Sequence, residues 1–301
     1  MKRYYITRIS KGIFTALMLL LVLAGMTSCK NDPGSTTKPG LSLGIASVPN
    51  LRDLGGYKTH NSAITLRGLV YRSNQLAPIS PNDMEKLAQL GLKNDYDLRT
   101  EAERTLLPDQ LPPGVDNIWL NVLEDHSGSG PAQLLELLKN PKEANVSLGG
   151  GKIEAMFEES YREFVSLPSA KTAYRELFIS LGERNKLPAL FHCTTGKDRT
   201  GWAAAALLTL LDVPKKTVME DYLRSNEYIL PLYQKEIDTF TAEGGELSII
   251  NAILGVKAEY LEAAFDEMLT KYGTIENYFS EALGIDLTRQ KDLRNLYLAS
   301  D

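Results

Sequence analysis

Phe191-His-Cys-Thr-Thr-Gly-Lys-Asp-Arg-Thr-Gly201 is the stretch that decides how this chain folds. The apolar lead-in Pro188-Ala-Leu-Phe191 reads as a strand, and Trp202-Ala-Ala-Ala-Ala-Leu-Leu208 is a strong helix former. Between them Cys193 and Arg199 stand six positions apart, across a polar loop that holds Gly196. Strand, tight loop and helix N-terminus therefore converge on one thiol. Backbone N–H groups of such a loop turn inward and the helix dipole adds partial positive charge, so the place suits a phosphate. The same field favours a thiolate, the nucleophilic form of cysteine.

Outward from this loop the pattern alternates. One or two short strands are expected at 64–72, and further strands at 93–98, 117–123 and 188–192, each set off by turn residues. Ser80-Pro-Asn-Asp83 caps a helix with proline at its first position, and Thr100 caps a short acidic one. Apolar residues at three-to-four spacing predict helices at 152–165, 169–183, 199–211, 215–224, 257–272 and 288–298. Strands alternating with helices give an α/β fold, a central, mostly parallel sheet flanked by helices. No internal repeat is visible. Gly149-Gly-Gly-Lys152 lacks a preceding strand and a following Ser or Thr, so it reads as a loop rather than a phosphate loop.

The first 28 residues are of another kind. Lys2, Arg3, Arg8 and Lys11 precede an apolar run at 13–24, and Gly25-Met-Thr-Ser28 leads into Cys29. That is the layout of an export signal, with an apolar part shorter than the ~20 residues of a membrane span. A cysteine after small residues at this point resembles a bacterial lipoprotein box, with Met26 in place of the commoner leucine. The resemblance implies cleavage before Cys29, lipidation of that cysteine, and a membrane anchor at the periplasmic or outer-membrane face. Residues 29–46, rich in Pro, Gly, Ser and Thr up to Gly40, read as a flexible tether, leaving 47–301 as the catalytic domain.

Removing the leader takes four of the 33 basic residues and none of the 38 acidic ones, which leaves a net charge of −9. So acidic a chain is unsuited to nonspecific nucleic-acid binding. Attraction for an anion must come from a local pocket. With Cys29 lipidated, Cys193 is the one remaining thiol of two. Neither His60 nor His126 stands in ligand spacing with a carboxylate or thiol, so no metal site and no cofactor are expected.

Phosphoester hydrolysis through cysteine needs a thiolate, a clamp for phosphate oxygens, and an acid for the leaving oxygen. Cys193 supplies the first. Arg199 supplies the second, since its planar guanidinium holds two oxygens at once. The amides of Thr194, Thr195, Gly196, Lys197, Asp198 and Arg199 complete the cradle. His192 is expected to fix the loop by hydrogen bonding, and Thr200 to bond the sulfur or a loop amide. For the acid, Asp198 ranks ahead of Asp125, which follows a predicted strand, and Asp97, at another strand's end.

Cys-x5-Arg by itself is common; the full string is not. It resembles the signature of cysteine-dependent protein tyrosine phosphatases, and His192-Cys-x-x-Gly-Lys-Asp-Arg-Thr-Gly201 is similar to their bacterial tyrosine/serine and phosphoinositide-active members. Asn50-Leu-Arg-Asp-Leu-Gly-Gly56, Val70-Tyr-Arg-Ser73, Asp97-Leu-Arg99 and Asp221-Tyr-Leu-Arg-Ser-Asn226 agree, as do Lys271-Tyr-Gly273, Leu283-Gly284 and Leu293-Arg294. The likeness spans about 47–298. It implies the three-layer tyrosine phosphatase fold, a cysteinyl-phosphate intermediate, no metal, and Cys193 and Arg199 as nucleophile and phosphate ligand. It also associates the Lys197-Asp198 pair with phosphoinositides or multiply phosphorylated substrates. The Trp-Pro-Asp acid loop of the eukaryotic enzymes is missing, so the acid stays open between the three aspartates.

Two other functions compete. A binding module on a phosphatase fold would capture phosphorylated ligands without turnover, but such modules usually lose the nucleophile. Sulfur or arsenate chemistry on a similar loop calls for a second thiol, which the processed chain lacks. Arg52, Asp53, Arg72 and Arg99 are expected to pack the back of the loop rather than line it, and Trp202 and Tyr222 to be core residues of their helices.

Overall fold

Ala189 and Phe191 face one hydrophobic core while Leu190 faces another, so the strand that feeds the cysteine loop is covered on both sides. The computed structural model describes residues 38–126 and 138–299. The expected leader, Cys29 and half of the tether lie outside them.

Five strands form one sheet: β1 (Arg52–Asp53), β2 (Val70–Ser73), β3 (Asn94–Asp97), β4 (Asp116–Trp119) and β5 (Ala189–His192). Their spatial order is β1-β2-β5-β3-β4. Only β1 runs antiparallel to its neighbour; β2, β5, β3 and β4 are parallel, with Arg72 and Tyr96 both in register with Phe191. Two-sided burial is what a parallel sheet requires, and it makes the layers three. On one side lie α4 (Lys152–Ser166), α5 (Pro168–Leu181), α6 (Arg199–Leu210) and α11 (Ala258–Tyr272), whose apolar residues join Val70, Tyr96 and Phe191 in the main core. On the other, Leu87 of α1 (Pro81–Gln89) packs with Tyr71, Leu190 and Leu51.

Further helices are α2 (Glu101–Leu106), α3 (Pro141–Leu148), α7 (Lys215–Leu223), α8 (Ser225–Ile229), α9 (Gln234–Ala242), α10 (Leu247–Leu254) and α12 (Leu287–Tyr297). α1 and α2 begin as their sequences indicate: Ser80 caps the first, and Thr100 with Glu103 forms a reciprocal capping box on the second. A separate small core joins α3, the start of α4, α9 and α10 through Leu148, Ile153, Phe240 and Ile250. Gly149, Gly150 and Gly151 form the break between α3 and α4. No helix among the described residues is long and apolar enough to cross a membrane.

Three expectations need correction. Of the one or two short strands expected at 64–72 only Val70–Ser73 forms, because Gly68 takes φ +74° and gives its N–H to Asp53; Ile64 and Thr65 make isolated bridges. The strand at 117–123 stops at Trp119, and the Asn121 side chain then accepts from the Leu123 amide and turns the chain. The tether does not reach residue 46: Ser42 bridges Arg52, the Leu43 amide donates to Leu51, and Ile45 is buried in the second core.

Candidate active site

Cys193 follows β5 at the carboxyl end of the central parallel strand, where open α/β sheets place their ligands. It is buried and is a free thiol. The loop that follows is held from outside, carbonyl by carbonyl. His192 Nδ1 faces Cys193 O at 3.2 Å, and the Gln75 amide donates to Thr194 O at 3.1 Å. Asn50 Nδ2 donates to Thr195 O at 3.0 Å, and an Arg72 terminal nitrogen to Gly196 O at 2.8 Å. With four successive carbonyls turned outward, the peptide planes aim their N–H groups inward. The amides of Thr194 to Arg199 accordingly meet no protein acceptor among the described residues. Such a ring of N–H groups at a helix N-terminus is an anion cradle.

Gly196 makes this path possible. Its φ is +68°, and a Cβ there would lie 2.1 Å from Ser73 O in β2. Only glycine fits both constraints. Arg72, which holds Gly196 O, is itself paired with Asp221 Oδ2 at 2.7 Å, and Arg52 takes Asp221 Oδ1 at 2.6 Å. Tyr57 donates to the same carboxylate. Burial pushes the Asp221 carboxyl up, but the two guanidinium charges and the hydrogen bonds outweigh it and hold it below its ordinary value. The arginines thus pack the back of the loop, as their positions in the sequence suggest. Arg99 is fixed to Asp97 and to Asp109 and reaches the loop only through Gln75, whose side chain it meets and whose amide holds Thr194 O.

His192 is fully buried, with Nε2 at 3.4 Å from Asp95 and 3.3 Å from Asp109. Burial disfavours its charged form, yet these two carboxylates prevail and raise it well above the usual imidazole range. The two carboxylates thus favour a positive charge on the ring behind the cysteine. Asp95, Asp109 and His192 also bring possible metal-ligand atoms within 4.8 Å of one another. The charges there already pair among themselves, because Arg99 donates to Asp109 at 2.6 Å.

Arg199 opens α6 and is buried. Its two terminal nitrogens donate to the two oxygens of Glu103, at 2.8 and 2.7 Å, and Thr194 Oγ1 also donates to Glu103. Burial pushes the Glu103 carboxyl up, but the charge of Arg199 and the hydrogen bonds from Arg199, Thr194 and Thr100 hold it far below the usual carboxylate range. Glu103 went unnoticed in the sequence. Its place three residues after the Thr100 cap is a signal for a capping box, not for a partner 96 residues away.

Asp198 ends the loop, partly exposed, and does not cap α6. Its Oδ1 accepts from Lys197 Nζ and from the Tyr161 hydroxyl, both at 2.9 Å. Lys197 is buried, 3% exposed, with its ammonium 4.8 Å from the Phe157 ring centre, so it is not a solvated surface lysine. Thr200 Oγ1 is buried with no hydrogen-bond partner among the described residues, so the expected bond to the sulfur or a loop amide is not made. Asp97 is buried beneath Arg99 and Arg104. Asp125 is exposed, and its Oδ2 accepts from the Ser169 amide at the start of α5.

The Tyrosine phosphatase family model matches residues 43–299, with this loop inside it. The chain belongs to the tyrosine phosphatase family. A Cupriavidus necator protein named as a tyrosine-protein phosphatase is 30% identical over 261 residues, covering 85% of this chain and 88% of that one. The triple specificity protein phosphatase PtpB of Mycobacterium tuberculosis is 28% identical over 278 residues, covering 83% and 96%. The crystal structure of P. aeruginosa TpbA superposes with a TM-score of 0.26 at 15% identity, over 67% of this phosphatase and 90% of TpbA.

Proposed function

We propose that this phosphatase hydrolyses phosphate monoesters through a cysteinyl-phosphate formed on Cys193. The observation that carries the reading is the loop with four carbonyls tied outward, which turns the N–H groups of Thr194 to Lys197 inward to hold phosphate oxygens, with Arg199, oriented by Glu103, beside them. The Cys193 thiolate attacks phosphorus, an S–P bond forms, and the P–O bond to the leaving group breaks. Asp198 gives that oxygen its proton. In the second step Asp198 takes a proton from water, the hydroxide attacks phosphorus, and the S–P bond breaks to return thiolate and inorganic phosphate. Asp97 is less suited, because it is fully buried with both oxygens paired to Arg99 and Arg104, whereas Asp198 keeps Oδ2 without a partner among the described residues; Asp125 lies outside the loop, on the turn after β4.

Phosphotyrosine is the first substrate to test. The name of the Mycobacterium relative, a triple specificity protein phosphatase, supports a panel wider than phosphotyrosine, in which phosphoserine, phosphothreonine and phosphoinositides are tried. Buried Lys197 beside the cradle supports multiply phosphorylated ligands as well. The purified protein is expected to hydrolyse an aryl phosphate in the presence of EDTA and to be blocked by vanadate. Cys193→Ser should abolish turnover; activity that survives it would end this reading. Phosphate binding without turnover across about pH 5–8 would favour a binding module instead.

We further propose that the chain is exported, cleaved before Cys29 and lipid-anchored there. The basic start, the short apolar run and the small residues before Cys29 support this. Labelled palmitate should enter the wild-type chain and not Cys29→Ser; equal labelling would refute the anchor.

A further inference from the structure

Three donors are arranged around Asp198 with a definite direction. Lys197 Nζ and the Tyr161 hydroxyl both donate to Oδ1, at 2.9 Å each. The Tyr222 hydroxyl donates to the Tyr161 oxygen at 2.7 Å. Burial, with the Asp198 charge next, raises both phenols well above their ordinary range, so each keeps its proton. A phenol has one proton to give, and a carboxylate can only accept. Tyr161 therefore spends its proton on Asp198 and receives one from Tyr222. The chain runs Tyr222 to Tyr161 to Asp198.

The two carboxylate oxygens are left unequal. Oδ1 accepts twice, whereas Oδ2 accepts from no group among the described residues. A proton arriving at Oδ1 would have to displace a donor; at Oδ2 it displaces none. We propose that Tyr161, braced by Tyr222, is a positioning residue that occupies Oδ1 of Asp198 so that Oδ2 delivers the proton to the leaving group. This rests on Asp198 being the acid proposed above.

The packing suits the task. The Tyr161 ring on α4 lies between Phe164, Tyr222 and Tyr260, with centroids at 5.0, 6.0 and 5.9 Å. Tyr222 on α7 packs against α6 at Gly201, where a Cβ would come within 3.1 Å of its ring. Both hydroxyls are thus located by rigid, buried rings, and the carboxylate plane follows them. Lys197 holds the same oxygen through a compact ammonium with three rotatable donors, which fixes a distance rather than a direction.

A tyrosine that only fills the core would slow all substrates alike; one that aims an acid slows those that need a proton. Phenyl phosphate has a poor leaving group and needs it, whereas 2,4-dinitrophenyl phosphate does not. Tyr161→Phe keeps the ring and removes the donor. It should widen the ratio of kcat/KM between the dinitrophenyl and phenyl esters by about tenfold, with Asp198→Asn widening it further, toward about 10²-fold. Tyr222→Phe should shift the ratio in the same direction by less, and it decides the matter if Tyr161→Phe does not fold. If Asp198→Asn widens the ratio and the folded tyrosine variants do not, the relay is overturned while the acid stands. If Asp198→Asn leaves the ratio unchanged, the acid assignment fails and the relay falls with it.

Discussion

Glu103 meets both terminal nitrogens of Arg199, so the guanidinium is oriented before any substrate arrives. A bidentate pair fixes a plane as well as a distance, which a single contact cannot do. Glu103→Gln keeps the shape and removes the charge. We expect kcat/KM on an aryl phosphate to fall by about 10²-fold, the cost typical of a small misplacement at a reacting centre. Unchanged kinetics would show that Arg199 needs no such guide. The substitution also bears on stability. In the folded chain burial pushes this carboxyl up, but Arg199 and its hydrogen bonds win and depress it. A depressed carboxyl gives its full stabilisation above the unfolded value of about 4.3 and loses it as pH falls toward the folded one. Between about pH 5 and 3 the Tm of the wild type should therefore drop more steeply than that of Glu103→Gln. Parallel curves in a thermal-shift series would contradict this.

The unit of β5, loop and α6 owes its shape to side chains that reach it from elsewhere. Its strand, its glycine and its helix are all legible in the stretch 188–208, because local propensity and packing agree there. The grip on its carbonyls is not, since Asn50, Arg72 and Gln75 come from well over 100 residues away in sequence. Asp221 is the hidden keystone, joining α7 to two buried arginines and through Arg72 to Gly196 O. Asp221→Asn removes the charge that both arginines need. Breaking a buried pair from one side costs about 3–5 kcal/mol, and in a chain of this size that lowers Tm by on the order of 10 °C. Differential scanning should show that fall together with reduced kcat. A variant as stable as the wild type would mean that the arginines are paired by other means.

At the scale of the molecule, the sequence yields its parallel sheet and most of its long helices, because their apolar periods are strong. It hides α9 and α10, short helices that close a small separate core together with α3 and the start of α4. It also hides the true start of the packed domain. Residues up to Gly40 are rich in turn formers, and that composition conceals what Ser42 to Ile45 do. The Ser42 amide donates to the Tyr228 hydroxyl, Ser42 bridges Arg52 on the sheet edge, and Ile45 is only 3% exposed. Arg52 lies under Tyr228, its guanidinium 5.7 Å from the ring centre, and holds Asp221, so this segment covers the network behind the active loop. A chain beginning at residue 47 exposes that side, whereas one beginning at 38 does not. Losing the buried isoleucine alone costs about 1.5–3 kcal/mol. The shorter chain should therefore unfold at lower denaturant concentration than the longer one in urea. Its kcat should fall as well, since Arg52 and Asp221 then meet water. Coincident unfolding curves would place the domain start at residue 47 and make 38–46 an ornament of the surface.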